Sequence, residues 1–155
     1  MEFPSDAPLF SLRGTHTARV LSLHDGDTFT AIVQLESMFY KFPVRLAGID
    51  TAEMTSKDPL LKTKAFLARD KLFGLITGKT SVDTMEWKKK DFDSYFQANY
   101  TIVTLDCEEM DKYGRVLAHV SNFADVLVSQ KLAYKYDGGK KLTESDQKSY
   151  LCQSL

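Results

Sequence analysis

Residues 15–49 read THTARVLSL, HDGD, TFTAIVQL, ES and MFYKFPVRLAGI in succession: three runs rich in β-branched and aromatic side chains, separated by two short polar clusters. Each run has the length and alternation of a strand and each cluster supplies turn residues, so the stretch is expected to fold as a three-stranded meander. In the third run Tyr40, Phe42, Val44 and Leu46 share one parity, and Lys41, Pro43 and Arg45 share the other. The first row should be buried, with Arg45 pointing away from it. Pro43 lacks an N–H, so this strand is expected to be an edge or to carry a bulge.

Beyond the meander, Asp58 and Pro59 form a helix start signal, a capping carboxylate followed by a proline in the first turn. The helix should run through LLKTKAFLARDKLFG with Leu61, Ala65, Ala68 and Leu72 as its apolar stripe, and stop at Gly74 or Gly78. A strand is possible at TSVDTM (80–85). Further on, YTIVTLDC (100–107) and RVLAHV (115–120) flank EEMDKYG as two strands of a hairpin. A second helix is predicted from Asn122 to about Leu132, and a short third one from Thr143. Strands, helix, strands and helices in a chain of 155 residues predict an α+β fold, a small five-stranded barrel with about three helices packed on it. Residues 1–14 read as an N-terminal extension and 15–155 as one domain.

Composition narrows the class. With 43% hydrophobic residues and no window near 18 consecutive apolar residues, the chain suits one packed domain and no membrane-spanning helix. The N-terminus has neither a basic lead nor an apolar run of signal-peptide length, which predicts an intracellular protein. A net charge of −1 gives no overall attraction to polyanions, so any nucleic acid must be held by local cations. Cys107 and Cys152 are read as free thiols, their spacing suggesting neither a disulfide framework nor a zinc site. His16, His24 and His119 need no functional role.

Three polar segments could carry chemistry. Asp25-Gly26-Asp27-Thr28 has the composition of a hairpin turn, yet Asp27 shares the parity of Phe29, Ala31 and Val33 and should point inward, where a carboxylate needs a partner such as a metal ion. Arg45 to Glu53 (RLAGIDTAE) places one cation and two carboxylates where a strand runs into a loop. That set reads either as a surface ion-pair cluster or as a calcium site, with Glu53 spare to orient or deprotonate water. Asp111-Lys112-Tyr113-Gly114-Arg115 reads as a polar turn, but its arginine offers a planar, always-charged fork that fits two phosphate oxygens. Two arginines, a divalent cation and a carboxylate suit phosphodiester hydrolysis, whose transition state gathers negative charge.

The ordered set DGDT, VRLAGIDTAE, a helix containing KAFL, and DKYGRVLA resembles the staphylococcal nuclease (thermonuclease) family over roughly residues 15–136. The resemblance implies an oligonucleotide/oligosaccharide-binding (OB) barrel with three helices. It also implies a calcium-dependent nuclease that cleaves the phosphorus–5′ oxygen bond of DNA or RNA, leaving 3′-phosphate ends. By the same resemblance Asp27, Asp50 and the Thr51 carbonyl hold calcium, and Glu53 is the general base or water-orienting group. Arg45 and Arg115 bind the phosphate, Lys112 and Tyr113 contact a terminal phosphate, and Tyr134 or Tyr136 packs on a base. The substrate expected is single-stranded or flexible nucleic acid, and the protein a monomer. A barrel that binds nucleic acid or protein without chemistry, or a structural domain in an assembly, is the rival reading.

The chain departs from that family at three places. Ala52 stands where proline is usual, which loosens the loop carrying Glu53. Lys131 replaces a glycine at the end of the second helix, so that helix is expected to end differently. Residues from about Glu86 to Asn99 read as an insertion. Its WKKKDFDSYFQAN mixes lysines with Trp87, Phe92, Tyr95 and Phe96, and either stacks on bases or forms an extended hairpin whose aromatics pack on the barrel.

Overall fold

The computed structural model describes residues 1–81 and 83–153. In chain order its elements are β1 (Gly14–Leu23), β2 (Thr28–Leu35), β3 (Met38–Leu46), β4 (Ile49–Asp50), α1 (Pro59–Thr77), α2 (Lys89–Ala98), β5 (Ile102–Met110), β6 (Val116–His119), α3 (Phe123–Ser129), β7 (Tyr134–Lys135) and α4 (Glu144–Leu151). Five strands close a barrel in the order β1, β2, β3, β6, β5, while β4 and β7 pair separately. The result is the predicted α+β, OB-fold-like architecture, with four helices among the described residues rather than three. None of them is long and apolar enough to cross a membrane.

The expected meander forms, with Ala18 facing Val33 and Thr28 facing Arg45. Alternation sends Val20, Phe29, Ala31, Val33 and Val44 inside, where they meet Leu105, Val116 and Ala118 from the β5–β6 hairpin. Pro43 precedes the Val44–Leu46 stretch that pairs in parallel with β6, so it lies where β3 borders β2 alone. The bulges fall in β1 and β5 instead. Tyr40, expected on the buried row, is half exposed, because the β2–β3 hairpin projects beyond the barrel wall. Strand β5 runs on through the Glu-Glu-Met stretch, confining the hairpin tip to Asp111–Arg115.

Helix α1 begins as read, with Asp58 accepting from the Leu60 and Leu61 amides. Its apolar stripe is fully buried, and Gly78, at φ 75°, ends it. The stretch at 80–85 contains no strand among its described residues, Val82 lying outside them. Thr84 is instead tied to α1, its amide and hydroxyl donating to Asp70 at 2.6 and 2.9 Å. Helix α3 ends as Lys131 itself adopts the left-handed conformation, at φ 59°. The Lys131 amide bonds the Val128 carbonyl and the Leu132 amide the Leu127 carbonyl, so the glycine-type cap forms on a lysine. At the N-terminus Leu12 is buried and Ser11 accepts from the Met110 amide, which ties the extension to the barrel just ahead of β1.

The segment expected as an extended hairpin is helix α2, started where the Asp91 carboxylate accepts from the Lys88 amide. Its aromatics do not face solvent for stacking: Phe92 and Phe96 are fully buried, and Trp87, Phe92, Tyr95 and Phe96 all pack around Phe73 of α1 with ring centroids 4.9–5.8 Å apart. Lys88, Lys89 and Lys90 remain exposed. The placement follows from strand lengths. Strand β1 pairs with β5 only as far as Arg19, and α2 packs along β1, so the helix covers ground that β5 leaves open. Phe96→Ala should therefore lower stability by about 3–5 kcal/mol, and Lys90→Ala by less than about 0.5. Urea unfolding of the two variants measures this; near-equal effects would make α2 a peripheral appendage.

Candidate active site

Three backbone features bring the polar segments to one end of the barrel. Gly26 lets the β1–β2 turn press on α1: a Cβ there would lie 2.5 Å from the Ala68 Cβ and 3.2 Å from Thr51 Cγ2. Gly48, at φ 83°, turns the chain sharply between β3 and β4. The pairing of β4 with β7 then sets Tyr134 opposite Asp50.

The turn after β3 wraps the side chain that precedes it. Arg45 Nη1 donates to the carbonyls of Ile49 at 3.0 Å and Leu46 at 3.4 Å. Its Nη2 donates to Asp50 Oδ1 at 3.1 Å and lies 3.4 Å from Asp27 Oδ2. Asp27, Arg45 and Asp50 are all at most 6% exposed, so two carboxylates meet one guanidinium out of reach of bulk water. The other Asp50 oxygen accepts from the Tyr134 hydroxyl at 2.5 Å and has Lys141 Nζ at 3.5 Å. Lys141 also reaches Glu53, at 3.8 Å.

The charges do not cancel among the buried groups. Burial, the nearby Asp25 charge and a hydrogen bond with Asp25 push Asp27 up to about 7, against the lowering pull of Arg45 and Thr28. Burial and the bond to Asp50 raise the Tyr134 phenol, which stays a donor. The arrangement can thus hold a proton or a cation beside a fixed guanidinium.

Of the residues singled out in the sequence, Asp27, Arg45 and Asp50 are in direct contact, with Thr51 buried beside them and Glu53 on the rim. The two tyrosines separate. Tyr134 is buried and occupied by Asp50, whereas the partly exposed Tyr136 turns its ring face to Arg45, 5.4 Å from the guanidinium carbon. Arg115 is held by Asp111 through Nε at 2.6 Å, beside Tyr113 and Lys112 on the hairpin tip. No hydrogen bond or ion pair among the described residues links it to Asp27, Arg45 or Asp50. The parallel register, Arg45 opposite Leu117, nevertheless puts Arg115 just ahead of β6, two residues before Arg45's partner.

Sequence reasoning missed the parts played by Asp25, Lys141 and Tyr134. Asp25 was visible in the turn but reads there as turn chemistry; the Tyr134 contact depends on β4 meeting β7, and Lys141 sits in a Gly-Gly loop with no periodic signal. No protein-family model matches the chain, and no curated protein matches it.

A pH dependence follows. Asp27 keeps its proton to about pH 7 in the folded state but loses it near 4 when unfolded, so between those values the folded state binds more protons. The stability this group contributes is complete below pH 4 and is lost as pH rises through about 7. In chelator, Asp27→Asn should match the parent near pH 4 and exceed it above pH 7, by about 4 kcal/mol at most. Melting temperatures of both proteins across pH 4–8 measure this. A constant difference would place Asp27 in an ordinary, solvated setting.

Proposed function

We propose that the chain is a calcium-dependent phosphodiesterase of the staphylococcal nuclease type, hydrolysing flexible or single-stranded DNA or RNA. The observation that carries this reading is the convergence of buried Asp27 and Asp50 on one buried guanidinium, Arg45, where the β1–β2 turn, the end of β3 and β4 meet.

The donor set fits calcium. Two carboxylates and a backbone carbonyl are the hard-oxygen donors that calcium takes, and Asp27, pushed up to about 7 chiefly by burial and by Asp25, holds a proton in a place that a divalent ion can take. Asp27, Asp50 and the Thr51 carbonyl would hold it. Among the described residues no group of three or more His, Cys, Asp or Glu is set to hold a metal, so water would complete the shell. Bound there, the ion supplies charge compensation for a phosphate in its transition state.

The protein's own groups do the rest. Arg45, fixed by the carbonyls of Leu46 and Ile49, is preorganised to donate to a phosphate oxygen. Arg115, two residues before Arg45's partner Leu117, donates to a second oxygen once Asp111 yields. Glu53 accepts the proton of a water whose oxygen bonds to phosphorus, the phosphorus–5′ oxygen bond breaks, and the 5′ oxygen takes up a proton as it leaves. A 3′-phosphate end remains. One observation favours the rival, a binding barrel without catalysis: Arg115 is engaged by Asp111.

Single-stranded DNA and RNA incubated with the protein should be cut in calcium and left intact in chelator, with 3′-phosphate product ends. Glu53→Gln and Arg45→Lys should each lower turnover by about a hundredfold or more, since a lost preorganised donor to developing charge costs roughly 3 kcal/mol. Full activity in chelator would sink the metal assignment; calcium binding without cleavage would establish the binding barrel.

A further inference from the structure

The outer face of the barrel continues from Arg45 to a second feature that the hydrolytic site does not use. Along β3 the residues Phe39, Lys41, Pro43 and Arg45 share one face, alternating with the buried Phe42, Val44 and Leu46. From Arg45 this row leads to the far end of the sheet, roughly 20 Å away at about 3.4 Å per residue. There a groove of about 500 Å³ is lined by Arg19, Ile32, Gln34, Phe39, Tyr100 and Ile102, and among the described residues no carboxylate lines it. Phe39 is 68% exposed and Tyr100 72% exposed, an unusual state for two aromatics on one small surface. The Arg19 guanidinium lies 4.5 Å from the centre of the Tyr100 ring and is tied to the Phe96 carbonyl at 3.4 Å.

We propose that this groove is a binding surface for the single-stranded nucleic acid whose scissile phosphate lies at Arg45, with Phe39 and Tyr100 stacking on its bases and Arg19 and Lys41 facing its phosphates. The proposal rests on the nuclease reading for the direction of the strand. Three observations select this occupant: the face is continuous with the site, the charges along it, Arg19 and Lys41, are cationic, and its two most exposed apolar groups, Phe39 and Tyr100, are flat rings set beside Ile32 and Ile102. A span near 20 Å matches the shorter strands, of about four nucleotides, taken up by a barrel of this kind. Tyr100 lies just after the 86–99 segment, on the face that α2 leaves uncovered.

The test uses the full chain carrying Glu53→Gln to prevent cleavage, with fluorescent oligothymidylates of two and eight nucleotides in calcium, read by anisotropy. The eight-mer should bind at least about tenfold more tightly than the dimer, since one stacked base is worth roughly fivefold or more. Adding Phe39→Ala and Tyr100→Ala should bring that ratio close to one and leave dimer binding unchanged, while Tyr100→Phe keeps it. Both side chains are exposed, so unchanged melting temperatures should accompany the loss. A ratio that survives the double substitution, or that is absent from the start, overturns the proposal. So does a parent that sediments as a dimer which the double substitution dissociates, because the face would then belong to a second copy of the chain. Failure of the phosphate-site reading looks different: the dimer would not bind, while the eight-mer would still bind in a Phe39- and Tyr100-dependent way.

Discussion

Two carboxylates and one guanidinium withdrawn from water govern the end of this barrel. Taking such groups out of solvent costs several kcal/mol per ion, and removing one partner of a buried pair typically costs about 3–5 kcal/mol. Asp27 enters from the β1–β2 turn, Arg45 from the end of β3 and Asp50 from β4, so the interaction holds only if three chain segments arrive together. Arg45 also fastens the β3–β4 turn through the carbonyls of Leu46 and Ile49, satisfying backbone acceptors that the tight turn would otherwise leave unpaired. The proton held by Asp27 marks a conflict, because the charge that would serve a cation is a liability without one.

Much of this was legible in the residues. Alternation in 15–49 gave the strands and the buried row of Phe42, Val44 and Leu46, because a period-two pattern assigns faces without knowledge of the partner strand. Asp58 and Pro59 gave the start of α1 for an equally local reason. What the residues did not give was long-range. Nothing near Tyr134 or Lys141 signals Asp50, and nothing in RVLAHV says that β6 runs parallel to β3. Lys131 shows the opposite failure: a local rule disfavours lysine at a left-handed position, and the fold places it there all the same.

The aromatic residues divide according to what lies next to them. Phe92 and Phe96 share a helical spacing of four, so both fall on one face of α2, and that face meets Phe73. Read without that period, the segment passes for an extended polar hairpin. Phe39 and Tyr100 have no helix over them, and on the outer side of the sheet they remain in solvent. Composition alone could not separate the two sets, since both mix rings with cations; only the location of α2 does so.

The separation of Asp50 from Tyr134 by 84 residues bears on the order in which the molecule comes into being. Synthesis adds about 5–20 residues each second, so roughly 4–17 s pass between the appearance of the carboxylate and that of the phenol that supports it. In the same interval β3 waits for β6, and the barrel stays open along that edge. A nascent chain carrying Asp27, Arg45, Asp50 and Glu53 therefore lacks the packing that shuts water out and aligns them. The Asp27–Arg45–Asp50 cluster is complete only once the C-terminal third has docked, and a chain that stops short of β7 lacks the phenol that supports Asp50.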